Sequence, residues 1–148
     1  MEGVLCLDIA TKTGWAIRQY DGVQSGVAHF KTSRFSGGGM RFLKFNQWLS
    51  EMYYEKKFTQ VRFEEVRRHI GTDAAHAYGG FIAMLTSFCE SNGIPYEGVP
   101  VGTIKKHATG KGNAKKDMMI QAMRDRGFNP ADDNEADALA LLCYVEGR

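Results

Sequence analysis

Apolar positions open the chain as a nearly unbroken run, Val4, Leu5, Cys6, Leu7 and Ile9, closed by the Thr-Lys-Thr-Gly of residues 11–14. A run that short and continuous predicts a strand buried on both faces. Residues 14–17 and 23–30 read as its antiparallel continuation. Three consecutive glycines within residues 33–39 (SRFSGGG) make a mobile loop, not a domain boundary, because too few residues precede them to fold alone. Phe42, Phe45, Leu49 and Met52 then recur at helical spacing, and residues 60–66 alternate as a strand. Residues 72–91 predict the longest helix, with Ala74, Ala77, Phe81, Leu85 and Phe88 on one face and a left-handed stop at Asn92-Gly93. Its interior Gly79-Gly80 pair costs about 1 kcal/mol per glycine relative to alanine, which points to another backbone packed closely there, from the sheet or from a second subunit. A strand over 94–99 and helices over 102–107, 114–126 and 134–145 complete the order, the last helix apolar nearly all round. Strands first, then alternating helix and strand, predicts an α/β fold on a mixed sheet.

Composition narrows the class without changing that picture. With 148 residues, 43% hydrophobic and 24% charged, the chain fits one folded domain spanning residues 1–148. No apolar run approaches the ~20 residues of a membrane span, and no signal-peptide pattern opens the sequence, so the expected location is cytoplasmic. Cys6, Cys89 and Cys143 are odd in number and each sits in an apolar stretch, which fits buried thiols and neither a disulfide framework nor a zinc site. His29, His69, His76 and His107 have no metal-ligand spacing. Net charge is only +2, but its distribution is uneven. Seven Lys or Arg stand between residues 105 and 126 against Asp117 and Asp125, and five acids follow residue 131 against Arg148 alone. Such a pattern suits either a solvated helix beside a tail or a phosphate-binding surface beside an acidic site.

Candidate chemistry lies in carboxylates where apolar residues belong. Asp8 interrupts the first strand, and an ionised carboxylate there is expensive unless a cation or metal faces it; the bland alternative is a turn cap through Thr11 or Thr13. Glu64 ends the second apolar strand, while Glu65 points to the opposite face; a rim ion pair to Arg67 or Arg68 is the bland alternative for Glu64. Asp132 and Asp133 are ordinary acids at a helix start, but Asp137 lies inside the apolar helix, one turn beyond Asp133 or Asn134. A helical carboxylate among Ala and Leu with two more at strand ends is a ligand inventory for hard divalent cations.

These blocks resemble the RuvC-type Holliday junction resolvases of the RNase H-like superfamily, especially the short forms carried by bacteriophages. LDIATKTGWAI is similar to the family's first strand and turn, with Asp8 at the first catalytic acid; FEEV to its second motif, with Glu64; IKKHATGKGNAKKDMM to its lysine and glycine segment, with Lys105 and Lys116 at the basic positions; and DDNEADALALL to its terminal acidic helix, with Asp137. The blocks occur in order and cover nearly the whole chain. Where the family commonly has another helical Asp this chain has Asn134, so the fourth ligand is Asn134, Asp133 or a water. The aromatic that the family places just after the second acid has no match, Arg67 standing there.

The resemblance implies an RNase H-like mixed sheet of about five strands, the first three antiparallel, flanked by helices. It also implies a structure-selective endonuclease that cuts four-way or other branched DNA by two-metal hydrolysis, using two Mg²⁺ ions or Mn²⁺ in their place and leaving 5′-phosphate ends. Catalysis falls to Asp8, Glu64, Asp137 and Lys116; Asp133 and Asn134 join the metal set. Lys105, Lys106, Lys111, Lys115, Arg67 and Arg68 are the expected DNA contacts, and Gly110 and Gly112 would let phosphate approach the backbone. A homodimer is implied because a junction has two equivalent strands to cut, with the Gly79-Gly80 helix as its candidate interface. No membrane or small-molecule cofactor is implied. The competing readings are an RNase H-like nuclease for RNA–DNA hybrids, an actin-like ATPase, for whose two halves the chain is too short, and a junction-binding protein that does not cut.

Overall fold

In a computed structural model, which describes residues 3–69 and 71–148, the first strand β1 (Val4–Asp8) carries Val4, Leu5, Cys6 and Leu7 with no exposed surface at all. It lies at the centre of a five-stranded sheet of order β3-β2-β1-β4-β5. β2 (Lys12–Gln19) pairs antiparallel with β1, and β3 (Gly22–His29) antiparallel with β2. β4 (Gln60–Glu65) and β5 (Tyr96–Pro100) add on the other side, both parallel. The expected mixed sheet with its first three strands antiparallel is therefore present.

Because side chains alternate across a strand, β1 feeds two cores. Leu5, Leu7 and Ile9 pack with Val61 and Phe63 of β4 beneath α1 (Met40–Lys56) and α2 (Thr72–Asn92), which supply Phe45, Leu49, Phe81, Leu85 and Cys89. Val4 and Cys6 face the other layer, α3 (Val101–Thr109), α4 (Lys116–Asp125) and α5 (Asp133–Glu146). Burying α5 residues such as Leu139, Leu141 and Leu142 on both sides explains its apolar circumference: it lies on the sheet and is covered by its neighbours. All three cysteines are buried and free. Among the described residues no helix is long and apolar enough to cross a membrane.

Three expectations are corrected. The rings and aliphatics of α2 bury from Phe81 onward, while Ala74 is exposed, so the apolar face is shorter than its periodicity suggests. No backbone from the sheet packs against the Gly79-Gly80 pair. A Cβ on Gly80 would strike the ring of Phe42 from α1, and one on Gly79 would meet open space. β2 is also longer than the expected 14–17, since its backbone pairing with β3 continues through Lys12, Arg18 and Gln19, where side-chain pattern gives no signal, whereas β3 nearly matches its expected span.

Candidate active site

Register places the first two acids. Leu7 pairs with Phe63 across parallel strands, so Asp8 and Glu64, each one residue further, stand side by side at the same sheet end. Both continue the alternation that faces α5, since Leu7 and Phe63 belong to the opposite core. Thr13 does not serve Asp8 as a cap partner: its hydroxyl donates to the Ala10 carbonyl at 2.5 Å and accepts from the Ala10 N–H at 3.2 Å, closing the turn by itself. Arg67 pairs with Glu65 at 2.8 Å, not with Glu64.

The third acid arrives on α5, and Gly14 makes that approach possible. Gly14 sits opposite Asp8 on β2, and a Cβ there would overlap the Asn134 carbonyl and lie 2.9 Å from the Glu135 nitrogen. The first turn of α5 thus rests directly on the strand backbone. Asp132 caps that helix by accepting from the Glu135 N–H at 2.9 Å and is held by Lys12 at 2.8 Å. Glu135, nearly buried, accepts from Ser25 Oγ at 2.6 Å and from the Ala131 N–H at 2.9 Å, tying the helix start to β3. At the other strand, the Tyr78 hydroxyl donates to the Glu64 carbonyl at 2.8 Å and accepts from the Val66 N–H at 3.1 Å, fixing the end of β4. Sequence reasoning missed Gly14, Glu135 and Tyr78 as supports; only Gly14, a glycine inside a strand pattern, carries a readable signal.

The result is a cluster in which carboxylate oxygens of Asp8, Glu64 and Asp137 all lie within 4.8 Å of one another. Glu64 Oε2 and Asp137 Oδ1 are buried with no hydrogen-bond donor. Burial, then the charges of Glu64 and Asp137, push Asp8 well above the ordinary carboxylate range. Burial raises Glu64 too, opposed by its contact with Asp8 and by the Lys105 charge. Asp137 is pushed up to about 7, by burial first and then by Glu64 and Asp133, with Lys105 and Lys116 opposing. Three converging carboxylates with orphaned lone pairs fit divalent cations held by oxygen ligands.

Glu64, Asp133 and Asp137 form the acidic side of a cleft of about 490 Å³, with Lys105, Lys115 and Lys116 among its other walls. Lys116 opens α4 and reaches to 3.8 Å of Asp133. Asn134 is engaged elsewhere, donating its amide to Asp132 at 3.2 Å, so Asp133 is the helical neighbour that shares the cleft. Lys106, Lys111, Arg67 and Arg68 are exposed and outside its walls. Gly110 ends α3 with φ +84°, a conformation glycine adopts without strain, while Gly112 lies against Gly102. A larger apolar groove of about 870 Å³ runs between Tyr53, Phe58 and Phe88, away from these acids.

Without metal, this cluster has a pH signature. A carboxylate whose pKa is raised on folding binds protons more tightly in the native state, so stability falls as pH rises from the unfolded value near 4 to about 7 and is level above that. Asp137→Asn removes the repulsion. The metal-free variant is expected to be more stable than the parent at pH 8 by about 2–4 kcal/mol, roughly 5–15 °C in Tm, and nearly equal to it at pH 4. Scanning calorimetry in EDTA at both pH values checks this; a stability difference independent of pH would contradict it.

No protein-family model and no curated protein significantly matches the sequence. Among solved structures the chain is similar to Thermus thermophilus RuvC in complex with a Holliday junction substrate, with TM-score 0.77 and 20% identity over 95% of this chain and 90% of that one. It is similar to Thermus thermophilus RuvC in a second structure, with TM-score 0.71 and 20% identity over 97% and 96%. The yeast mitochondrial Holliday junction resolvase Ydc2 also matches, with TM-score 0.62 and 14% identity over 94% of this chain and 75% of that one. The fold of this chain is thus that of RuvC-type resolvases, the RNase H-like mixed sheet expected from the sequence.

Proposed function

We propose that this protein is a divalent-metal-dependent, structure-selective DNA endonuclease that resolves four-way junctions. The observation that carries the reading is the convergence of Asp8, Glu64 and Asp137 from β1, β4 and α5, with two buried oxygens lacking any donor, in a cleft that lysines also line. Asp8, Glu64 and Asp137, joined by Asp133, would hold two Mg²⁺ ions, or Mn²⁺ in their place. Those ions would supply Lewis-acid stabilisation of the charge that builds on the scissile phosphate. Lys116 and Lys105 flank the acids and balance the same charge from the protein side, while Lys106, Lys111, Lys115, Arg67 and Arg68 hold the phosphates of the strand being cut. Water adds to phosphorus as the P–O3′ bond breaks, leaving a 3′ hydroxyl and a 5′ phosphate. Two equivalent strands of a junction call for two such sites, hence a two-fold dimer. The open surface at Gly79 on α2 remains its candidate contact.

The test is a labelled four-way junction, a linear duplex and an RNA–DNA hybrid, each incubated in Mg²⁺ and in Ca²⁺. Paired nicks in the junction alone, in Mg²⁺ alone, support the proposal. Equal cutting of the linear duplex, preference for the hybrid, or tight junction binding with no cutting in Mg²⁺ or Mn²⁺ would each reject it. Within this reading Asp133 and Asn134 separate. Asp133→Ala is expected to lower cleavage roughly 10- to 100-fold, with partial recovery at high Mn²⁺, while Asn134→Ala stays within about 3-fold of the parent. Single-turnover rates across a metal titration measure both; equal effects would overturn the assignment of Asp133.

A further inference from the structure

Between Asp21 and Glu51 the chain has no carboxylate, yet it carries Lys31, Arg34, Arg41 and Lys44. None of the four has an ion-pair partner among the described residues. They gather around the loop from β3 to α1, whose course is fixed by pairing. His29 closes the β3 ladder against Lys12, and the Phe30 N–H donates to the Thr11 carbonyl at 2.7 Å, so the loop departs beside the turn that follows Asp8. It therefore lies at the same end of the sheet as the acidic cluster. A small cavity of about 210 Å³ between Thr11, Lys31, Gly37 and Arg41 joins loop and turn.

The tip is a β-turn. The Ser36 N–H donates to the Ser33 carbonyl at 3.0 Å, and Ser33 Oγ accepts from the Phe35 N–H at 3.3 Å, which places Arg34 and Phe35 at the two central positions. Phe35 is 85% exposed, and the Arg34 guanidinium covers its ring at 5.0 Å from the centroid. A single exposed apolar residue is unremarkable; position distinguishes this one. The other exposed rings are Tyr20 in the β2–β3 turn, Tyr54 late in α1 and, less so, Tyr96 at the start of β5 and Tyr144 late in α5, all at the opposite end of the sheet. Phe35 is the exposed aromatic at the acidic end among the described residues, it has no hydroxyl to solvate, and Arg34 covers its ring.

We propose that the Arg34-Phe35 turn is a nucleic-acid contact in which Phe35 stacks on a base left unpaired at the branch point while Lys31, Arg34 and Arg41 hold the adjoining phosphates. A flat ring offers a sequence-tolerant stacking surface, and an arginine beside it adds both charge and a second plane. The inference rests on the nuclease reading and assigns the surface that would recognise the branch.

The experiment uses a four-way junction carrying 2-aminopurine at the crossover, held uncut in Ca²⁺, with the parent, Phe35→Ala, Phe35→Trp and Arg34→Gln/Arg41→Gln. The parent is expected to raise the fluorescence on binding; Phe35→Ala loses most of that rise and cuts roughly 10-fold more slowly in Mg²⁺, while Phe35→Trp keeps both. A junction whose central bases are mismatched restores Phe35→Ala to within about 3-fold of the parent. The double arginine variant is expected to flatten the slope of log affinity against log salt by about 2. An unchanged thermal midpoint in Phe35→Ala is expected from its exposure. If the parent binds and cuts the junction, Asp8→Asn abolishes cutting, and Phe35→Ala matches the parent in fluorescence and rate, the turn has no such role although the nuclease reading stands. If the parent does not bind junctions, both fall together.

Discussion

Asp8→Asn is expected to lower junction cleavage in Mg²⁺ by roughly 10³-fold or more, the scale lost when one preorganised contact to developing charge is removed, while junction affinity in Ca²⁺ stays level or rises. Asn has the same shape, so the strand end and its turn remain intact, but it contributes no negative charge to the acidic cluster. Asp8 touches Glu64 and feels Asp137 and Asp133, so no other carboxylate of the cluster can take its place without moving. In the proposed complex the contacts to DNA would come from lysines and arginines on other elements, and removing an acid beneath them would weaken repulsion of the phosphates. The same substitution should raise the thermal midpoint of the metal-free protein above pH 7, because burial and repulsion hold the Asp8 pKa up. Loss of activity with gain of stability is the mark of a site that folding alone would not select. Gel-shift binding, single-turnover cleavage and calorimetry on one preparation test all three; a variant that cuts within 10-fold of the parent would contradict the role given to Asp8.

Gly14→Ala is expected to be the most damaging single-methyl addition among the glycines of the sheet. The new Cβ would overlap the Asn134 carbonyl and crowd the Glu135 nitrogen, both main-chain atoms of a capped first turn that cannot rotate aside. Helix α5 must lift from β2, at a cost of about 1–3 kcal/mol, or roughly 3–10 °C in Tm. Because Asp137 rides on that helix one turn later, a displacement of about 1 Å is enough to lower cleavage roughly 10²-fold even in protein that is fully folded. Circular dichroism melting together with cleavage well below the midpoint separates the two effects. Full activity with a lowered midpoint would show that Asp137 is not positioned through Gly14.

The strand acids were legible because the sheet obeys a period of two without a bulge at this end. Once Leu7 and Phe63 face one layer, Asp8 and Glu64 must face the other, and the apolar run on either side says which strands are central. Asp137 was legible as the one charge inside an otherwise buried helical stretch. The choice between Asp133 and Asn134 was not, because both lie one turn before Asp137. What separates them is local: the Asn134 amide turns back to the cap residue Asp132, while Asp133 lines the cleft. Tyr78 gave no sign of its part, since an isolated tyrosine on a helix announces nothing until its hydroxyl is seen between Glu64 and Val66. Gly80 was read correctly as a site of close approach but with the wrong neighbour: a Phe42 ring fills the space that a backbone was expected to occupy. Such packing depends on how two helices meet, which neither periodicity nor composition encodes.

The most direct measurement is anomalous diffraction from crystals of the protein soaked in Mn²⁺, collected for the parent and for Asp137→Asn. The account expects strong peaks bounded by the carboxylates of Asp8, Glu64 and Asp137 in the parent and their loss or weakening in the variant. Peaks elsewhere, with none among these three side chains at millimolar Mn²⁺ and neutral pH, would contradict the claim that they form a divalent-metal centre.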